Sequence, residues 1–96
     1  MTVEIQIRRA ACEAQDLLNR MYSAGTPAVG SILDQFGLRD GLAIVENYLI
    51  HGEAGLALEH LLYMVSEPSL ELTAKSLGDI RSAADLLGMS SRIRDP

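Results

Sequence analysis

The sequence predicts an all-α fold: a single compact bundle of four main helices plus a short helix, mostly up-and-down. Three observations support this. Hydrophobic residues make up 48% of the chain and aromatics only 4%, so the core must be built from Leu, Ile, Val, Ala and Met, whereas strands are enriched in aromatic and β-branched residues. Apolar residues recur at three- and four-residue intervals along most of the chain, as a helix face requires. Gly and Pro divide these stretches by short links, which makes successive helices antiparallel neighbours. At 96 residues the chain is expected to form one domain, 1–96.

Val3, Ile7, Ala10, Ala14, Leu17, Leu18 and Met21 fall within an arc of about 100° on a helical projection, so the first helix should run for roughly twenty residues. The alternation Val3, Ile5, Ile7 would also suit a short strand, but it is too brief to outweigh the stripe that follows. Gly25-Thr26-Pro27 ends the helix, because Gly suits a C-terminal cap and Pro cannot extend it. "PAVGSILDQFG" reads as a short helix closed at Gly37. Asp40 is a good N-cap for a helix to about His51, with Leu42, Ile44, Val45, Tyr48 and Leu49 on one broad face. "HGE" breaks it: Gly52 can take a positive φ, and Glu53 suits the first turn of the next helix, where the macrodipole favours a carboxylate. That helix should end at Glu67, before Pro68. The last should begin with Thr73 as cap and stop at Gly88, with Leu77, Ile80, Ala83, Ala84 and Leu87 facing inward. The tail 90–96, "SSRIRDP", is expected to fray.

Charge is unevenly placed. The net value is −5, yet from Met1 to Arg39 four basic residues balance four acids. Between Asp40 and Leu72 there are six acids (Asp40, Glu46, Glu53, Glu59, Glu67, Glu71) and no Lys or Arg. Phosphate backbones are repelled by such a segment, which argues against direct nucleic-acid binding and for a basic partner. The single cysteine, Cys12, excludes an internal disulfide and fits a reducing compartment. No apolar run reaches the ~20 residues that span a bilayer, and no leader pattern opens the chain, so no membrane association and a cytoplasmic location are expected.

The residues most suggestive of chemistry lie in "HGEAGLALEH". His51-x-Glu53 is the first half of a zinc deaminase signature, but the Pro-Cys-x-x-Cys half is missing. The two histidines lack zincin spacing, and Glu59 and His60 are adjacent rather than spaced as Glu-x-x-His. Cys12 points to the polar side of its helix beside Glu13 and Asp16, carboxylates that disfavour a thiolate. No catalytic residue, metal or cofactor is expected.

Unrolled, the helix from Glu53 buries Ala54, Ala57, Leu58, Leu61, Leu62, Met64 and Val65 and turns Leu56, Glu59, His60, Tyr63 and Glu67 outward. Two readings stand for that outer face. One is a binding surface for a basic, partly apolar partner, with Tyr63 as anchor and the acids as steering charge. The other is a solvated face that keeps the domain soluble, although soluble faces ordinarily mix both signs.

The segment "VENYLIHGEAGLALEHLLYMVSE", Val45 to Glu67, resembles the small immunity proteins of bacterial polymorphic toxin systems, the MafI-type family and the related colicin D immunity-like helical bundles. The resemblance implies a chain that binds and neutralises a cognate toxin C-terminal domain, a basic nuclease such as an RNase, without turnover. His51, Gly52, Glu53, Ala57, Glu59 and Leu61 fall on the shared pattern and are expected to serve the fold. Partner contacts are expected at Asp40, Glu46, Asn47, Glu59, Tyr63, Glu67 and Glu71, with Glu59 in both sets. The alternative is a non-catalytic helical oligomerisation or adaptor domain, for which the off-stripe residues Ile5, Leu56 and Leu86 speak; a homo-oligomer is compatible with either.

Overall fold

Four helices form the molecule in the computed structural model, which describes residues 2–25 and 27–92. They are α1 (Val3–Ser23), α2 (Gly41–Ile50), α3 (Ala54–Ser66) and α4 (Ala74–Leu86), with short 3-10 turns at Ile32–Asp34 and Ser90–Arg92. The alternation at Val3 to Ile7 is helical, opened by Thr2, whose hydroxyl accepts from the Ile5 amide at 3.3 Å. α1 and α4 pack antiparallel, α2 and α3 form a second antiparallel pair, and α1 lies across both members of that pair.

The core is aliphatic. Ile7, Ala10, Ala11, Ala14 and Leu18 of α1 meet Val45 and Leu49 of α2, Ala57, Leu58, Leu61 and Met64 of α3, and Ile80, Ala83 and Ala84 of α4. Gly41 begins α2 against Met64: a Cβ at this glycine would stand 2.6 Å from the methionine sulfur. That contact sets the first turn of α2 beside the last of α3.

The C-terminal ends of α2, α3 and α4 follow the Schellman pattern, in which the two amides beyond the cap bond back into the last turn. After α2 the Gly52 amide donates to Leu49 O at 3.1 Å and the Glu53 amide to Tyr48 O at 2.9 Å, with Gly52 at φ 72°. Gly88 plays the same part after α4 at φ 69°. After α3 that part falls to Ser69, at φ 54°, the one positive-φ residue other than glycine among those described.

α1 buries more of its circumference than its apolar stripe predicts, because polar residues line both margins. Toward α4, Gln6 donates to Ser82 Oγ at 3.0 Å, and Arg9 grips Asp79 with two hydrogen bonds at 2.6 and 3.1 Å. Further along, Glu13 accepts from the Thr73 amide at 3.0 Å, from its hydroxyl at 2.9 Å, and from the Ser76 hydroxyl. These rungs sit three to four residues apart on each helix and fix their register. The bonds from Ser76 first, and from Thr73, hold the Glu13 carboxyl below its ordinary value of 4.5, against the opposing effect of burial.

Two expectations are corrected. The short helix over "PAVGSILDQFG" shrinks to one 3-10 turn, because Gly30 and Gly37 both take positive φ and the Asp34 carboxylate captures the Gly30 amide at 2.9 Å. Such a local side-chain bond competes with helical pairing. Leu77 is exposed rather than inward, its place at the α1 interface taken by Ser76 and Asp79. In the tail, Ser90–Arg92 form a 3-10 turn in which the Ser90 hydroxyl donates to Asp85; residues 93–96 lie outside the described residues.

Candidate functional site

The acids of the middle segment occupy the outer surfaces of α2 and α3 and the links at their ends. Asp40 is exposed at the N-cap position of α2, yet its side chain makes no capping bond. Gln15 of α1 performs that task instead: its Oε1 accepts from the Leu42 amide at 2.8 Å, and its Nε2 donates to Leu38 O at 3.3 Å and Arg39 O at 3.1 Å. Glu67 is exposed at the C-cap of α3, and the Gly41–Met64 contact brings Asp40 and Glu67 to the same end of the helix pair. Glu71 is exposed in the link to α4, next to the buried Leu70.

Glu46 faces away from this end group. Ile44 borders Gly37, and Glu46, two residues on, points to the opposite side of α2 because two residues turn a helix by about 200°. Asn47 is exposed, and its carbonyl oxygen lies 2.7 Å from His51 Nδ1. The carboxylates are thus divided between two sides of the pair.

Glu59, Tyr63 and Glu67 form one stripe on α3, each a single turn from the next. Tyr63 is half-buried: its hydroxyl lies 2.8 Å from Phe36 O, to which it donates, and 3.1 Å from Gln35 Oε1. The phenol hydroxyl is bonded to the preceding loop and supports it from beneath. His60 acts beside it, bonding Gly37 O through Nε2 at 2.9 Å. A carbonyl only accepts, so Nε2 carries the proton.

The loop so supported, residues 27–40, is the feature that periodicity missed. Tyr22 holds its first half by donating to Leu33 O at 2.7 Å, and burial pushes the Tyr22 pKa up against the opposing charge of Arg39, so the hydroxyl stays a donor. Leu38 is fully buried and Leu33 packs on the core. The other apolar side chains point outward: Val29 is 95% exposed, Phe36 89% and Ile32 51%. The sequence reads there as a short helix, and no pattern within it marks a loop with apolar side chains turned outward.

Cys12 is exposed on α1. Among the described residues no three His, Cys, Asp or Glu side chains gather as metal ligands, and no helix is long and apolar enough to cross a membrane. Of the residues on the resemblance pattern, Gly52 supplies the turn, Ala57 and Leu61 are fully buried, and His51, Glu53 and Glu59 are exposed. Comparison with protein-family models, curated proteins and solved structures finds no match to this chain.

Proposed function

We propose that this chain is an immunity protein that binds and neutralises a cognate toxin domain, a basic nuclease, without chemistry of its own. The observation that supports the reading is the unbroken acidity of residues 40–72, where six acids stand with no Lys or Arg on the exterior of α2, α3 and their links. A nuclease cleft is basic because it binds phosphates, and an acidic surface both speeds the encounter and discriminates against neutral partners. The barnase–barstar pair, a standard example of such steering, works in this way. The resemblance of Val45 to Glu67 to polymorphic-toxin immunity proteins points in the same direction.

The test is co-expression with the toxin domain encoded immediately upstream, scored by cell survival and by co-purification at moderate salt. Rescue with a stable one-to-one complex is expected. Failure of both rescue and complex formation overturns the reading.

A second reading, a helical oligomerisation or adaptor domain, draws on the exposed apolar residues Ile5 at 43%, Leu56 at 44% and Leu86 at 66%. It predicts concentration-dependent self-association in sedimentation equilibrium, in the absence of any toxin domain.

A further inference from the structure

We infer that the loop of residues 27–40 is the docking element for the basic partner proposed above, with Phe36 as the side chain that enters an apolar pocket on it. The inference rests on that reading and names the part of the molecule that executes it.

Phe36 and Val29 are almost fully solvated and Ile32 is half so, on a loop that in an unsupported chain would fold such side chains inward. From Leu33 to Arg39 the backbone is not free to do so. Tyr22 holds Leu33, Tyr63 holds Phe36, His60 holds Gly37, and Gln15 holds Leu38 and Arg39. Every clamp reaches the loop from the helix side and bonds a carbonyl, so the outward side chains are left clear. A presented aromatic on a pre-ordered backbone loses little conformational freedom on binding, and buried aromatic anchors dominate interface energetics.

Charge selects the occupant. Asp34 and Asp40 belong to the loop, and Glu59 and Glu67 stand one turn either side of the tyrosine that holds Phe36. The loop's one cation, Arg39, is stacked over the Tyr22 ring at 4.1 Å, on the α1 side. An apolar centre with an acidic surround matches an apolar pocket with a basic rim. A second copy of this chain would meet it with like charge, since a two-fold contact opposes each patch to itself. The surface therefore commits to a basic protein partner rather than to self-association.

The test uses the full chain and the toxin domain encoded immediately upstream. Kd is measured by titration calorimetry for wild type, F36A, I32S and the control L86S, which alters an exposed apolar residue on α4; circular dichroism and thermal melts verify folding. Wild-type binding that weakens by about 30-fold or more in F36A, by less in I32S and not in L86S is the expected result. If the toxin domain binds wild type, F36A and I32S alike, the loop is not the docking element, although the immunity reading stands. If wild type does not bind, that reading falls and this inference with it. A wild-type dimer in sedimentation equilibrium that F36A dissociates assigns the loop to a second copy and overturns the inference.

Discussion

Ser69 adopts a left-handed conformation at φ 54°, where an L side chain crowds its own backbone, yet the turn after α3 needs it because Ser69 and Leu70 donate back to Ser66 and Val65. Glycine meets the same geometry without that cost. Ser69→Gly is expected to stabilise the fold by about 0.5–1 kcal/mol, read as a higher urea midpoint at unchanged slope. Gly37→Ala should act in reverse, since φ is 86° and the added carbon would lie 2.9 Å from the His60 ring. Glu13 carries the chain's pH signature. Its folded pKa is depressed, so its contribution is present above the unfolded value and is lost as pH falls through the folded one. Glu13→Gln should therefore lower stability near neutral pH, and the gap to wild type should close on acidification below about pH 4, as urea titrations at stepped pH will show.

Element by element, the polar seams locate the helices and the aliphatic core drives their association. Gln15 is 7% exposed and serves the first turn of α2 and the loop before it. Gln15→Ala leaves the Leu42 amide and the Leu38 carbonyl without that partner and should cost about 1–3 kcal/mol. Tyr63→Phe removes only the bonds to Phe36 and Gln35. Global stability should fall by about 0.5–1.5 kcal/mol, while hydrogen exchange in residues 33–38 accelerates and exchange in the centre of α1 stays slow. Equal acceleration in both places would mean that Tyr63 serves the whole core and not the loop.

For the molecule as a whole, the division of carboxylates between two sides makes the charge prediction specific. If the partner docks over the loop, Glu67→Lys should cost ~2–5 kcal/mol in toxin binding and slow association. Glu46→Lys, on the opposite side of α2, should change the association rate modestly and dissociation little. Raising ionic strength should slow wild-type association steeply, because exposed charges are screened within about 10 Å at 0.1 M salt. Unchanged binding after reversal at Glu46, Glu59, Glu67 and Glu71 would rule out acidic steering altogether.

The sequence alone determined the helical class, the order of the four helices and most of their ends. Thr73, Gly52, Pro68 and Gly88 act locally, through bonds and φ preferences within a few residues, and so are legible from neighbours in the chain. The apolar period likewise identified Ile7, Ala10, Ala14 and Leu18 as core, but it passed over Gln6, Gln15, Ser76 and Asp79, which are buried because each finds a partner on another element. The charge excess of residues 40–72 was visible as composition; its division between two surfaces was not. Tertiary structure decided what the loop would be. Its partners Gln15, Tyr22, His60 and Tyr63 come from two helices, on either side of it in the chain, and no pattern within "PAVGSILDQFG" foretells them. A hydrogen bond between residues 23 or 27 positions apart, such as Gln15 to Leu38 or Tyr63 to Phe36, exists only once the helices have packed. That packing leaves Phe36 outside.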